Sequence, residues 1–269
     1  MSHRFSRITS PHNPLIKHLA RLQRSPQARR RERRLVVEGT RLLAEAHRAG
    51  LRPTAVLFTA QAAPRVADLL QHWQAQGVAL YETSPAAMRR AAATETPQGV
   101  LGLFPWPQRP WPAHPNLLLV LDNLRDPGNL GTILRTAWAA GVQGVLLPPG
   151  NADPWAPKVL RSGMGAQFHL PLRRVPWEEI PPLLTGLPLY LAEAHAGIPY
   201  TQADFRRPLV LLIGGEAQGP SPQARAWAQS AVHIPMPGQA ESLNAAVAAG
   251  VLLFEVVRQR MHAEASPDR

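Results

Sequence analysis

The sequence predicts an α/β protein built from two domains. Apolar runs of strand length alternate with helical patterns over residues 35–104, and again over 117–260. Between these stretches lies PWPQRPWPAHP, residues 105–115, whose five prolines in eleven residues exclude a helix or an interior strand. In the second stretch, loops of Gly, Pro, Asn and Ser follow the apolar runs. An open α/β sheet presents backbone groups to a ligand in this way, beyond the carboxyl ends of its strands.

Residues 9–24 read as an amphipathic helix with Leu15, Leu19 and Leu22 on one side. After a basic run comes a strand over 35–37, and Glu38-Gly39 opens a helix reaching about residue 49. A strand over 55–58, a helix over 64–76, a strand over 78–81, a short helix over 85–92 and a strand over 99–104 complete a small α/β sandwich. Residues 105–115 are expected to be a stiff linker of roughly 3.1 Å per residue, holding the first domain away from the second. The apolar run 117–121 has the pattern of a parallel strand buried on both faces. There follow a helix over 129–140, a strand over 144–147, a helix near 158–164, a strand near 168–171, a helix near 177–184 and a strand over 189–192. Residues 209–213 form the most apolar strand, and Ser221-Pro222 occupies the cap and first position of the next helix. A last strand over 232–235 precedes a long helix, with Ser242 expected as its cap and Leu243, Val247, Val251 and Phe254 sharing a stripe. Residues 263–269 are expected to be disordered. The predicted division is 1–104 with a basic amino-terminal arm, linker 105–115, domain 116–262 and tail 263–269.

The 269 residues are 45% apolar, enough for a substantial core. The absence of cysteine excludes disulfides, thiolate metal sites and a cysteine nucleophile. No stretch reads as a signal peptide or a membrane span, so a soluble, cytoplasmic protein without membrane contact is expected. Of the formal charge of +11, residues 1–34 carry +9, from ten basic residues against Glu32. So local an excess points to a polyanion, and arginine, which forks onto phosphate and stacks on bases, points to nucleic acid.

Three loops could carry chemistry. Gly214-Gly215-Glu216 follows the strand 209–213, where two glycines let a ligand approach the backbone. Met236-Pro237-Gly238 follows the strand 232–235. Asp126-Pro127-Gly128-Asn129 opens the helix that carries Arg135 amid apolar neighbours. Arg135 is either a solvent-facing arginine or a cation aimed at a phosphate or a developing oxyanion. Asn129 and Asn244 could each be a helix cap or a site residue, Glu216 a turn carboxylate. Ser242 reads as a cap rather than a nucleophile, since no His–Asp partner is apparent. No strand is followed by GxGxxG and no GxxxxGK[ST] occurs, which argues against an ordinary Rossmann cofactor site and a P-loop. The ten histidines are scattered without metal-ligand spacing, so no metal is expected.

Taken together, these pieces resemble the SpoU (TrmH-type) branch of the SPOUT RNA methyltransferases, over residues 116–260. The resemblance rests on Asn129, Gly131 and Arg135 in DPGNLGTILRTA; on Gly214, Glu216 and Gly219; and on Ile234, Pro235, Met236 and Gly238 followed by Ser242, Leu243 and Asn244. Lys158, Ser162-Gly163 and Ala166 fit the segment between the first two motifs. In the first domain, VVEGTRLLAEA and TPQGVLGLF resemble an L30e-like substrate-binding domain. The resemblance implies a SPOUT domain with a deep trefoil knot, a homodimer, and S-adenosylmethionine-dependent methylation of an RNA ribose 2′-hydroxyl. It further implies that Arg135 activates that hydroxyl and that Asn129, Glu216, Ser242 and Asn244 position the reactants. Gly214, Gly215, Ile234, Met236, Gly238 and Leu243 would bind the cofactor. The expected substrate is 23S rRNA; the alternatives are tRNA, or a non-catalytic RNA-binding or ribosome-assembly role.

Overall fold

The computed structural model describes residues 5–184, 186–215, 219–238 and 240–264. The chain forms two compact units, one of Met1–Gln108 with Trp155–Phe168, the other of Arg109–Pro154 with His169–Arg269.

The first unit is a five-stranded mixed sheet between helices. Its strands are β1 (Ser6–Ile8), β2 (Arg34–Glu38), β3 (Ala55–Phe58), β4 (Ala79–Thr83) and β5 (Val100–Pro105), in the order β1-β4-β3-β5-β2. Its helices are α1 (Pro14–Arg24), α2 (Pro26–Glu32), α3 (Thr40–Arg48), α4 (Ala67–Ala75) and α5 (Pro85–Ala91). The strand period of two sorts the side chains. Val36, Leu57, Leu101 and Leu103 meet Ile16, Leu19 and Leu22 of α1 and Met88 of α5 in one core. On β5, the neighbouring Phe104 stacks edge-on against Trp73 of α4, both fully buried.

Three features of this unit differ from the sequence expectation. The first helix starts at Pro14, not residue 9, because Asn13 Oδ1 accepts the Leu15 N–H at 2.8 Å and proline takes the first helical position. Residues 6–8, left unassigned by pattern, add an edge strand beside β4. The basic run also contains a helix, α2, capped by Ser25. Within it Arg29 is buried, donating to the Leu22 and Gln23 carbonyls at 2.5 and 3.1 Å and thereby closing the end of α1. Glu32 collects His18, Arg21 and Arg31. Its carboxyl is held below the ordinary value: desolvation opposes the shift, but the His18 hydrogen bond and the surrounding cations outweigh it. The described part of the arm, from residue 5, is therefore folded into this unit, and Lys17, Arg21, Arg24, Arg30, Arg31 and Arg33 stay exposed.

The linker is likewise tied down at both ends. Trp106 donates its indole N–H to the Arg34 carbonyl at 3.2 Å. Trp111, in the second unit, donates to the Leu183 carbonyl at 3.3 Å and lies under the Arg173 guanidinium. A Cβ on Gly144 would sit 2.6 Å from the Trp111 ring, so this glycine makes room for it.

The second unit is a seven-stranded, all-parallel sheet. It comprises β6 (Leu117–Asp122), helix α6 (Pro127–Ala139) and β7 (Gly144–Leu147); α7 (Pro157–Ser162) belongs to the first unit; then come β8 (Leu172–Arg174), α8 (Pro181–Leu184), β9 (Leu189–Ala192), β10 (Ile198–Pro199), β11 (Leu209–Gly214), α9 (Pro222–Trp227), β12 (Ser230–His233) and α10 (Ala245–Glu264). The strand order is β10-β12-β9-β11-β6-β7-β8. The central strands β6 and β11 are buried on both faces, as their continuous apolar runs predict. One face meets Ile180, Leu184 of α8 and Ala224 of α9. On the other, α10 runs against α6 and β11.

Here too some expectations shift. Residues 166–168 are a 3-10 turn, and the strand follows at Leu172–Arg174. The last sheet strand ends at His233, leaving Ile234 and Pro235 in the loop. Helix α10 begins at Ala245, and its cap is Asn244, whose Oδ1 accepts from Ala246 N and Val247 N at 2.9 and 3.3 Å; Ser242 lies outside the helix. The buried face of α10 carries Ala249, Leu252, Leu253 and Val256, while Val247 and Phe254 of the predicted stripe are about half exposed. Its first half, Ala245–Phe254, is apolar all round, so pattern alone cannot say which face turns inward there. It continues through Glu264, past the predicted start of the tail; residues 265–269 lie outside the described residues.

Arg258 forks onto Glu255 at 2.7 and 2.8 Å, and Gln259 adds a bond at 2.8 Å. The Arg258 hydrogen bond, against the opposing effect of burial, holds the Glu255 carboxyl below its ordinary value. A carboxylate depressed on folding stabilises the protein above its unfolded pKa, and this contribution fades as pH falls through the lowered folded value. Glu255→Gln should therefore cost on the order of 1 kcal/mol at pH 7, the exposure of Arg258 limiting the gain. Thermal melts should show the gap from wild type closing in acid; a pH-independent gap would mean packing, not charge, holds Glu255.

Candidate active site

The carboxyl ends of β9, β11 and β12 surround a cavity of about 210 Å³. Gly214, the last residue of β11, and Gly215, the first of the turn after it, line the cavity, as do Ile234 and Met236 of the loop after β12. Leu243 and Ser242 reach it from the segment before α10, whose Ala245, Ala248 and Leu252 form an apolar floor. Gly238 lies outside this cavity, in an adjoining cleft with His195, His233 and Glu241 that shares Ala194, Ile234 and Met236 with it. Glu216 falls outside the described residues.

The glycines at the end of β11 are required by close approach. A Cβ on Gly215 would lie 2.3 Å from the Asn123 carbonyl oxygen, and one on Gly214 would lie 2.7 Å from the Pro220 nitrogen. The loops on either side are pinned by buried polar groups. Asp122, fully buried at the end of β6, accepts the Ser221 N–H at 2.6 Å. Asn151 accepts the Leu124 N–H at 2.8 Å and donates to the Leu121 and Pro148 carbonyls at 2.6 and 2.8 Å. Such satisfied buried groups rigidify a loop, because breaking any one strands the other.

A second cluster joins α6 to α10. Asn244 Nδ2 donates to Asn129 Oδ1 at 3.1 Å, linking residues 115 positions apart. Asn129 is not the cap of α6: Asp126 is, and its Oδ1 accepts the Asn129 N–H at 2.8 Å. Further along α6, Arg135 is exposed, and among the described residues no hydrogen bond or ion pair holds its guanidinium. The structure thus gathers Gly214, Gly215, Ile234, Met236, Leu243 and Ser242 at one cavity and Asn129 with Asn244 at one hydrogen bond, while Arg135 is part of neither.

Sequence reasoning missed Glu193, Pro220 and the α10 floor as cavity-lining residues, and named Gly219 in its motif without a cofactor role. Glu193 follows β9 directly, so the rule placing ligands at strand carboxyl ends could have found it. It also pairs with Arg225 of α9. Among the described residues, no cluster of three or more His, Asp or Glu could hold a metal ion, and no helix is long and apolar enough to cross a membrane.

A family model described as the SpoU rRNA Methylase family matches residues 116–254. The chain belongs to this family. A model for an MRM3-like substrate binding domain matches residues 13–102 of this SpoU methylase. Among its relatives is an uncharacterized tRNA/rRNA methyltransferase of Synechocystis, 39% identical over 94% of both chains. A 23S rRNA guanosine 2′-O-methyltransferase of Bacillus subtilis is 35% identical over 67% of this chain and 73% of its own. The crystal structure of an AdoMet-bound rRNA methyltransferase from Sinorhizobium meliloti superposes with a TM-score of 0.83 at 31% identity, covering 94% of this chain and 98% of the other.

Proposed function

We propose that this SpoU-family protein transfers a methyl group from S-adenosylmethionine to a ribose 2′-hydroxyl of 23S rRNA. The observation that carries the reading is the cavity itself. Its apolar wall of Ile234, Leu243 and Leu252 suits an adenine face, and the backbone of its three loops supplies polar contacts at the rim. The cofactor brings an activated methyl on a sulfonium, whose departure as a neutral thioether needs no metal. The chain's task is then to orient and polarise the hydroxyl. Asn129 and Asn244 hold the α6 and α10 starts in register, and Ser242, which lines the cavity, is assigned to positioning the ribose. A guanidinium stays protonated, so Arg135 acts by stabilising the developing alkoxide and steering the RNA phosphate rather than as a base. Glu216 is assigned to positioning through its motif alone.

In the same reading, residues 1–104 bind substrate, 116–262 carry catalysis and 105–115 connect them. The exposed stripe of Val247, Phe254 and Met261 on α10 fits a homodimer contact, and light scattering should give about twice the 29.4 kDa chain mass. The return of the chain from β12 at one side of the sheet to α10 over its centre suits the family's knot. Ribosomal RNA as substrate fits the cytoplasm.

Incubation with labelled S-adenosylmethionine and separated rRNA and tRNA tests the reading. Label in 23S rRNA supports it, label confined to tRNA moves the substrate, and no label in either RNA points to a non-catalytic protein. The basic surface of α1 and α2 should supply much of the salt-sensitive affinity. Replacing Lys17, Arg24, Arg30 and Arg33 with alanine should flatten the slope of log affinity against log salt by about 0.7–0.9 for each phosphate that is no longer neutralised. Equal slopes would mean that other surfaces grip the RNA.

A further inference from the structure

One exposed feature on α6 has no part in the chemistry above. Trp138, 40% exposed, lies flat against His169, with ring centroids 4.2 Å apart and planes 8° from parallel. A large aromatic ring at a solvent-facing helix position normally costs solubility and gains nothing from the core. Here the histidine covers one face of the indole and fixes its plane. Trp138 follows Arg135 by three residues, so the two side chains are neighbours on the helix surface, with roughly 5–6 Å between their Cβ atoms. A guanidinium beside a ring of fixed plane matches a nucleotide, whose phosphate takes the cation and whose base takes the π face.

We infer that Trp138, held by His169, is a stacking shelf for an unpaired base of the RNA, next to the nucleotide whose phosphate Arg135 engages. The inference rests on the methyltransferase reading for its RNA, and adds a positioning residue to it. Stacking is tolerant of base identity, so the shelf sets the path of the strand rather than its sequence. A second protein seated on the same ring is the competing occupant. It is disfavoured because Arg135, charged and without a partner among the described residues, stands beside the ring.

The test uses full-length protein, a fluorescent single-stranded 23S rRNA fragment and three readouts: RNA affinity without cofactor, methyl transfer with it, and mass by light scattering. Trp138→Ala should weaken RNA binding and raise KM for RNA by about 5- to 150-fold, the range found for loss of one base stack. Cofactor affinity and mass should match wild type, and Trp138→Phe should recover most of the loss. Unchanged RNA affinity in Trp138→Ala would overturn the shelf. So would a fall in mass, which would make Trp138 a subunit contact, or failure of Trp138→Phe to recover binding. Wild-type protein that binds RNA in a Trp138-dependent way yet transfers no methyl group would retain the shelf and end the methyltransferase reading.

Discussion

Arg135→Ala is expected to lower kcat for methyl transfer by about 10²–10³-fold, the typical loss when one preorganised donor to a developing oxyanion is removed. S-adenosylmethionine should bind as in wild type, because Arg135 does not line the cavity. The variant should also fold normally. The side chain is exposed on α6, and among the described residues no hydrogen bond or ion pair ties it to the scaffold. Arg135→Lys keeps the charge but loses the planar fork, so it should recover only part of the rate. Turnover like wild type in Arg135→Ala, with cofactor affinity intact, would reduce Arg135 to a solvent-facing arginine.

Gly215→Ala is expected to abolish cofactor binding. The new methyl would lie 2.3 Å from the Asn123 carbonyl oxygen and 3.4 Å from the Asn123 Cβ. The first of these is a backbone atom, so no side-chain rotation relieves the clash. The turn after β11 must move, or the loop after β6 must. That loop is pinned by Asn151 and by the Asp122–Ser221 bond, so it resists. Overpacking of this kind costs about 1–3 kcal/mol in folding stability. The larger consequence falls on the cavity, whose wall is the displaced turn. Calorimetry with S-adenosylmethionine should show no heat for Gly215→Ala, while circular dichroism shows a folded protein. Affinity within twofold of wild type would mean that the turn after β11 does not shape the cofactor site.

Much of this architecture was legible in the residues, and the reasons differ by element. The strands at Ala55–Phe58, Gly144–Leu147 and Leu189–Ala192 match the sequence reading because short apolar runs bounded by turn residues leave little freedom. The parallel sheet followed from the unbroken apolar runs of β6 and β11. The amino-terminal edge strand was not legible: Ser6–Ile8 is three residues long and forms because β4 offers it a free edge. Helix α2 was hidden by charge, since a run of arginines reads as a solvated tail until Arg29 is seen folded inward onto two carbonyls. The cavity was half legible. Gly214 ends a strand, and Gly215, Ile234 and Met236 stand in loops after strands, where ligands bind. The floor from Ala245, Ala248 and Leu252 was missed because the first half of α10, Ala245–Phe254, is apolar on every side and its inward face is chosen by α6 and β11. Asn129 and Asn244 could each be read as a cap. Only the fold shows that they meet, and that Asn244 caps its helix while Asp126 takes that role for Asn129.

The most direct test of the central claim is the chemical position of the transferred methyl group. 23S rRNA lacking modification would be incubated with the protein and isotopically labelled S-adenosylmethionine, digested to nucleosides and resolved by mass spectrometry. Label is expected in a single nucleoside carrying a 2′-O-methylribose, and should be lost in Arg135→Ala and in Gly215→Ala. Label on a base rather than on ribose, or no label in any RNA from a protein that binds the cofactor, would contradict it.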